Sequence, residues 1–293
     1  MKTLTLKGAG TALVTPFKGS EVDYEAYAKL IDRQVEAGIH FLVPLATTGE
    51  TPTLSTEEKV KLLQLTREHA KGLPLVVGCG SNSLTATLAN MKLLEPYGVD
   101  AWLVVVPFYN KPTQEGQYQY FKAVAEATDK PIVLYNVPGR TGANMTADTC
   151  IRLANDCPNI VATKEASGNY SQVSEIIRRA PEGFSVLSGD DDMTLAFMAT
   201  GGQGVISVAS NVAPAEVAQL TKLMLEGKLT EARALHHRLS PLFRNCFVEA
   251  NPIPAKAAMA QMGLLEYELR LPLVKGTAHT DEVMAQTLAQ LWK

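Results

Sequence analysis

Residues 132–136 read Ile-Val-Leu-Tyr-Asn, and residues 160–164 read Ile-Val-Ala-Thr-Lys. Both runs are mostly apolar on successive residues and end in a polar side chain. A strand that is covered on both faces has this pattern, whereas a half-exposed strand alternates between apolar and polar residues. Strands of that kind occur in parallel sheets with helices on both sides. The two runs therefore predict a parallel α/β fold.

Runs of the same kind recur along the chain, with stretches of helical spacing between them. Strands that alternate with helices lie parallel and are joined by right-handed crossovers. Eight such units favour a closed (β/α)8 barrel, the TIM barrel, over an open sheet, which remains the alternative. The six other runs are residues 11–15, 41–46, 75–78, 101–106, 185–188 and 205–208.

Two of the intervening helices have recognisable ends. Residues 24–37 have apolar residues at helical spacing and stop before Gly38, a residue type that commonly follows a helix. Ser55 and Glu58 have the spacing of a capping box, in which each side chain bonds the other residue's backbone N–H. A second helix is therefore expected to begin directly after Ser55.

The last part of the chain differs from the repeat. Residues 231–247, 254–262 and 281–291 have helical spacing, with no strand pattern between them. No linker rich in proline, glycine or serine divides the eight units. We therefore expect one barrel domain at residues 1–226 and a C-terminal helical region at residues 227–293.

The composition is that of an ordinary globular protein. The chain has 293 residues, of which 46% are hydrophobic and 19% charged, with a formal net charge of -3. It has no long basic run of the kind that binds nucleic acid and no apolar run long enough to span a membrane. The four cysteines form no CxxC motif, which favours free thiols in a reducing compartment. These features predict a cytoplasmic protein without nucleic-acid or membrane partners.

In a (β/α)8 barrel the reacting groups lie at the C-terminal ends of the strands. Lys164 ends the sixth predicted strand, where its side chain is expected to be buried in the barrel or against the helices. Burial favours the neutral amine, which is the form that attacks a ketone carbonyl. The alternative is a buried salt bridge, with Glu50 or Asp190 as the partner.

Hydroxyl groups at neighbouring strand ends favour a reactive Lys164 amine over a buried salt bridge. Tyr135 ends the adjacent strand, and a phenol near the lysine can move the protons that imine formation requires. Thr47, Thr48 and Tyr109 add hydroxyls that extend a possible proton relay to solvent. By itself, each of these residues is also compatible with a structural role at the barrel rim.

Arg140 follows the fifth predicted strand in the sequence Pro-Gly-Arg. A guanidinium can hold a substrate carboxylate in two parallel hydrogen bonds. The alternative for an arginine in a loop is a solvated surface position.

Other sites with known motifs are not indicated. The Gly8-x-Gly10 pair lacks the third glycine of a dinucleotide fingerprint, and neither a P-loop, an HExxH motif nor a GxSxG elbow is present. The acidic run at residues 190–192 offers oxygen ligands, but a helix N-terminus explains it more simply. We expect neither a metal nor a cofactor.

Four motifs together resemble the pyruvate-dependent class I aldolase superfamily, which includes the dihydrodipicolinate synthases and the N-acetylneuraminate lyases. The similarity spans essentially the whole chain. The motifs are GxxTALVTPF near the start, Thr-Thr-Gly-Glu-Thr at residues 47–51, Tyr-Asn-Val-Pro-Gly-Arg-Thr-Gly at residues 135–142 and Lys-Glu-Ala-Ser-Gly at residues 164–168.

The resemblance implies a role for each catalytic candidate. Lys164 is the lysine that forms a Schiff base with pyruvate, and Tyr135 passes protons to and from the bound pyruvate. Thr47 links Tyr135 to Tyr109, which enters the site of a neighbouring subunit in a homotetramer built as a dimer of dimers.

The resemblance also implies the groups that bind substrate. Thr48 binds the pyruvate carboxylate, and Arg140 binds the carboxylate of aspartate 4-semialdehyde. Gly189 and Ile206 line the pocket through main-chain groups. Thr47 and Arg140 favour a dihydrodipicolinate synthase over a lyase for sialic acid or another long 2-oxo sugar acid. A catalytically inactive barrel that serves as a binding protein is the alternative from another class.

Synthases of this kind that are inhibited by lysine bind it in a cleft near the active site. The resemblance places Thr56, Lys59, Ala86 and Phe108 where inhibited members have two histidines, a glutamate and a tyrosine. With Ala86 in place of the glutamate, the ammonium of a bound lysine would lack its acceptor carboxylate. It would also lie near the like charge of Lys59. We therefore expect inhibition by lysine to be weak or absent.

Overall fold

The computed structural model describes residues 4–292. Eight parallel strands form one sheet, in which the first strand lies between the second and the eighth. Each later strand lies beside the next, and a parallel bridge between Leu42 and Leu75 closes the sheet on itself. The predicted (β/α)8 barrel is therefore confirmed. The strands are Gly8–Ala12, Phe41–Val43, Val76–Gly78, Ala101–Val105, Ile132–Asn136, Ile160–Glu165, Ser185–Ser188 and Gly204–Ser207.

The helices of the barrel cover the outside of this sheet. The capping box is present, because Ser55 Oγ accepts the Glu58 N–H at 3.1 Å and the Glu58 carboxylate accepts the Ser55 N–H at 2.8 Å. The barrel helices are Tyr24–Glu36, Thr56–His69, Leu84–Leu94, Gln114–Glu126, Pro138–Thr141, Ala147–Asp156, Tyr170–Arg179, Thr194–Ala199 and Pro214–Leu225.

Two hydrophobic clusters stabilise the barrel. One fills its interior and includes Phe41, Val133, Leu187 and Ile206, all at most 1% exposed. The other lies between the sheet and the surrounding helices and includes Trp102 and other fully buried side chains. Each strand is therefore covered on both faces, which explains the successive apolar residues in the sequence.

The first strand lies three residues earlier in the chain than predicted. Residues 11–15 were expected, whereas the strand is Gly8–Ala12. Its start contains glycines, which have low strand propensity and conceal it from a propensity argument. At Gly10 a glycine is required, because a Cβ atom there would lie 2.0 Å from Cε2 of Phe41. The missing side chain thus makes room for an aromatic ring inside the barrel.

The C-terminal region consists of helices, as predicted, with ends that differ from the prediction by at most three residues. They pack against one another and against the helix Pro214–Leu225. The outer hydrophobic cluster continues from the barrel into this region, so the division at residue 226 stays a prediction. The three helices are Leu229–Asn245, Ile253–Gln261 and Ala278–Leu291.

Within residues 4–292, none of the helices is both long and apolar enough to cross a membrane. The four cysteines are buried and form no disulfide, as expected.

Candidate active site

Lys164 and Tyr135 lie side by side at the C-terminal ends of the sixth and fifth strands. They are register partners in the parallel pair, so their side chains point to the same face of the sheet. The Lys164 amine lies 4.2 Å from the centroid of the Tyr135 ring. Only 4% of Lys164 and 7% of Tyr135 is exposed. The structure therefore brings the predicted amine and phenol together in the barrel.

The next pair of residues fixes this orientation. Asn136 and Glu165 follow in register and face the helices, where the Asn136 side-chain amide donates to the Glu165 carboxylate at 3.1 Å. The backbone N–H of Ser167 donates to the same carboxylate at 2.9 Å. Burial raises the pKa of Glu165. Because neighbouring residues alternate across a strand, Tyr135 and Lys164 must point inward.

The salt bridge considered as an alternative for Lys164 is absent from the described part of the chain. Glu50 instead pairs with Lys256, at 2.5 Å between Oε1 and Nζ, and both of these side chains are fully buried. Asp190 lies near enough to feel the charge of Lys164, which lowers its pKa. Burial has the larger effect and raises the pKa of Asp190 to about 6. Among residues 4–292, no carboxylate therefore holds the Lys164 amine in a contact ion pair.

Gly189 and Ile206 complete the surroundings of the lysine. A Cβ atom on Gly189 would lie 3.2 Å from Cε of Lys164 and 2.6 Å from Cβ of Ala166. Glycine thus keeps space beside the lysine that any side chain would fill. Ile206 is fully buried in the same interior cluster as Tyr135.

A cavity of about 490 Å³ adjoins Tyr135. Thr47 and Arg140 also line it, whereas Lys164 does not. Its volume suits a small organic substrate. Lys59 also lines the cavity, and among the described lining residues there is neither an aspartate nor a glutamate. These features agree with weak inhibition by lysine, which stays a prediction.

The turn after the second strand carries the two threonines. Thr47–Gly49 form a short 3-10 helix. Thr48 is buried, and its hydroxyl accepts a hydrogen bond of 3.0 Å from the side-chain amide of Asn251. Thr47 is exposed. Within residues 4–292, no hydrogen bond joins the Thr47 hydroxyl to that of Tyr135, so the predicted relay is not closed.

Arg140 and Tyr109 lie at the outer edge of the site. Arg140 belongs to the short helix Pro138–Thr141, is exposed, and donates to the Asn251 carbonyl at 3.4 Å. Tyr109 is 88% exposed and has a φ of +70°. Its backbone N–H donates to the Thr141 carbonyl at 3.3 Å. The structure therefore places Arg140 in the cavity wall and leaves the Tyr109 side chain exposed, outside the residues that line the cavity.

The acidic run at residues 190–192 lies at the start of a helix, as expected. The 3-10 turn Asp191–Met193 leads into the helix Thr194–Ala199. Asp191 also accepts the backbone N–H groups of Val208 and Ala209, both at 3.0 Å, and so anchors the segment after the eighth strand. Among residues 4–292 no group of three or more histidine, cysteine, aspartate or glutamate side chains could hold a metal ion.

Sequence reasoning missed Asn251 and Lys256. Asn251 contacts both Thr48 and Arg140, and Lys256 holds Glu50 next to the Thr47–Gly49 turn. Both residues lie more than 100 positions away from their partners in the chain. No local pattern marks such contacts, so only the tertiary structure reveals them.

An amine and a phenol facing each other inside the carboxyl end of a closed barrel are what an imine-forming barrel aldolase requires. A family model described as the dihydrodipicolinate synthetase family matches residues 5–291. The chain belongs to this family and is therefore an enzyme.

Relatives and solved structures agree with this assignment. A 4-hydroxy-tetrahydrodipicolinate synthase from Phocaeicola vulgatus is 50% identical over 288 residues, which cover 98% of this chain and 97% of the relative. The enzyme of the same name from Parabacteroides distasonis is 48% identical and covers 99% of both chains. The crystal structure of dihydrodipicolinate synthase from Thermotoga maritima superposes with a TM-score of 0.97 at 45% identity, covering 98% of this chain and 99% of that one. These similarities favour the synthase over a sugar-acid lyase or an inactive barrel.

Proposed function

We propose that the protein is a 4-hydroxy-tetrahydrodipicolinate synthase that condenses pyruvate with aspartate 4-semialdehyde. The observation that carries the proposal is the buried Lys164 amine, which lies 4.2 Å from the Tyr135 ring centroid and has no contacting carboxylate in the described part of the chain. The amine attacks the pyruvate ketone and, after loss of water, forms an imine. The protonated imine accepts the electrons released when a methyl proton leaves. The resulting enamine carbon then attacks the aldehyde.

Tyr135 moves the protons in this sequence. The attack on the ketone gives a carbinolamine, which must gain a proton on its hydroxyl before water leaves. The Tyr135 phenol is next to the amine and also lines the cavity, so it can exchange protons with groups there. We propose that Thr47 and the Tyr109 of a neighbouring copy continue this relay.

Four residues hold the substrates in the proposed site. The Thr48 hydroxyl and turn bind the pyruvate carboxylate, while Gly189 and Ile206 shape the space beside the lysine. Arg140 lines the cavity and extends from its outer edge, where it can bind the carboxylate of the aldehyde substrate in two hydrogen bonds. The proposed reaction needs neither a metal nor a cofactor, because the imine itself is the electron sink.

The proposal includes the assembly and the location of the enzyme. Exposed Thr47 and the 88% exposed Tyr109 support a relay that closes between two copies of the chain. A homotetramer made of two such dimers is the proposed assembly. Four buried cysteines without disulfides fit a reducing, cytoplasmic location.

Borohydride trapping tests the proposed chemistry. Reduction with pyruvate present fixes the C=N bond, so we expect a stable adduct on Lys164 that peptide mass spectrometry locates. A Lys164→Met variant should not form it, and EDTA should not reduce turnover. An adduct on another lysine, or none, would show that the mechanism is wrong. Turnover with pyruvate and aspartate semialdehyde, compared with pyruvate and N-acetylmannosamine, checks the acceptor.

A further inference from the structure

The turn that carries Thr47 and Thr48 ends in an unfavourable backbone conformation. The Glu50 N–H closes the turn by donating to the Thr47 carbonyl at 3.0 Å. Glu50 itself has φ +52° and ψ +33°, in the left-handed region. This conformation costs free energy for a residue with a side chain and persists only where surrounding contacts hold it.

The Glu50 side chain makes those contacts. Its Oε1 lies 2.5 Å from Lys256 Nζ, and its Oε2 accepts the backbone N–H of Arg270 at 3.1 Å. Both partners belong to the C-terminal region, 206 and 220 positions away in the chain. The end of the turn is therefore held from outside the barrel.

Lys256 is as deeply buried as Glu50. Its relative exposure is 0%, and its ammonium also donates to the Glu268 carbonyl at 2.9 Å and lies 4.3 Å from the Phe17 ring centroid. A buried ion pair gives little stability compared with apolar residues of the same size. The pair is thus poorly explained by stability alone, whereas it does fix the position of Glu50.

The same C-terminal segment holds the turn at a second point. Asn251 lies shortly before the helix Ile253–Gln261, which carries Lys256. Its side-chain amide donates to the Thr48 hydroxyl at 3.0 Å. One short segment thus fixes the turn through Thr48 and through Glu50.

We infer that Lys256 is a positioning residue for the reaction, because it holds Glu50 and thereby the turn that presents Thr47 and Thr48. This inference rests on the proposed function, which gives those threonines their roles. Lys256 does not line the cavity, so it acts through the turn and not on the substrate. Its loss changes the affinity for pyruvate without removing the imine chemistry of Lys164.

The test compares two variants by borohydride trapping at increasing pyruvate. Lys256→Met removes the ammonium with little change in volume but leaves Glu50 buried without its partner. The double variant Glu50→Gln with Lys256→Met removes both charges, and Gln keeps an acceptor for the Arg270 N–H. We expect the pyruvate concentration for half-maximal trapping to rise about 10- to 100-fold, the equivalent of a lost hydrogen bond to a charge. At saturating pyruvate, Lys164 should still be trapped.

Glu58→Gln is the matched control. Glu58 pairs with the Arg270 guanidinium at 2.6 Å, whereas Glu50 accepts only the Arg270 backbone N–H. In the variant, the Ser20 and Thr53 carbonyls still accept hydrogen bonds from this guanidinium, so the contact to Glu50 is kept. Gln preserves the capping box. We expect this variant to melt at a lower temperature and to keep the wild-type half-saturation for pyruvate.

Three outcomes would overturn the inference. The first is a folded double variant with half-saturation within about twofold of the wild type. The second is an equal rise in the Glu58→Gln control, which would indicate general loosening. The third is failure of both Lys256 variants to fold, since the pair would then hold the fold and not the turn. A wild-type protein that is not trapped on Lys164 would instead refute the proposed function, and the inference with it.

Discussion

At the scale of single residues, the contacts of the charged side chains around Lys164 bear on its proposed role. Lys164 and Asp190 are neighbours in space, yet they form no contact ion pair within the described chain. Glu50, the other proposed partner of Lys164, is paired with Lys256. The Lys164 amine, which we propose attacks pyruvate, is thus left without a contact ion pair among residues 4–292.

Tyr135→Phe tests the role of the phenol. We expect turnover to fall roughly 10²- to 10⁴-fold, the usual contribution of a positioned acid or base. The melting temperature should hardly change, because the Tyr135 hydroxyl has no hydrogen-bond partner among residues 4–292. Steady-state kinetics and thermal unfolding measure the two quantities. Turnover within tenfold of the wild type would mean that another group moves the protons.

The raised pKa of Asp190 predicts that the free energy of unfolding depends on pH. Its pKa is raised to about 6 in the folded state from 3.8, so the folded protein binds more protons between these values. Stability is therefore lost as the pH rises through this window. Asp190→Asn removes the effect, so its stability relative to the wild type should increase by about 2 kcal/mol from about pH 4 to about pH 7. Urea unfolding at both pH values measures the difference, and a pH-independent difference would contradict the burial argument.

At the scale of elements, the barrel requires side chains of complementary size on neighbouring strands. The first strand has no side chain at Gly10, and the ring of Phe41 on the second strand occupies the space beside it. The same principle applies at Gly189, where the missing side chain leaves space beside Lys164. Glycines within the first strand and directly after the seventh thus contribute to the packing and to the proposed site, respectively.

Gly10→Ala tests this packing. The added Cβ atom would lie 2.0 Å from the Phe41 ring, so we expect a loss of about 1–3 kcal/mol or more, typical of an overfilled core. Adding Phe41→Leu should recover part of it. Gly139→Ala, where no atom lies within 4 Å of the new Cβ, should change stability by less than about 1 kcal/mol. Equal effects of the two alanine variants in thermal unfolding would contradict the steric explanation.

At the scale of the whole molecule, one chain holds an incomplete version of the proposed relay. Thr47 and Tyr109 are both exposed, and the backbone of Tyr109 is in the left-handed region. An exposed aromatic side chain on a constrained loop suits a contact with a second copy of the chain. We therefore propose a dimer as the catalytic unit.

Mixing two inactive variants tests whether sites are shared. Lys164→Met keeps Tyr109 and lacks the amine, whereas Tyr109→Phe keeps the amine and lacks the hydroxyl. If Tyr109 enters the neighbouring site, a mixed dimer has one complete site, so random pairing should restore about a quarter of wild-type turnover. Sedimentation should show a tetramer. No recovery after subunit exchange, or a fully active monomer, would refute the shared relay.

The amino-acid sequence by itself determined the strands, helices and barrel class. Successive apolar residues mark strands covered on both faces, and these patterns are local in the chain. Polar residues at predicted strand ends identified Lys164 and Tyr135, because parallel strands bring their carboxyl ends to one edge of the barrel. The displaced first strand is the exception, since Gly10 is explained by the Phe41 ring of the next strand, and Gly8 by its φ of +83° and the adjacent His40 ring.

Only the tertiary structure decided which charged groups meet. Glu50 was a proposed partner for Lys164, yet its partner is Lys256, 206 positions away. Thr48 likewise bonds Asn251, 203 positions away. Local patterns depend on the period of a helix or strand, whereas the pairing of buried charges depends on how distant segments pack. The sequence therefore specified the candidate reactive residues, and the folded chain specified the contacts that hold their surroundings in place.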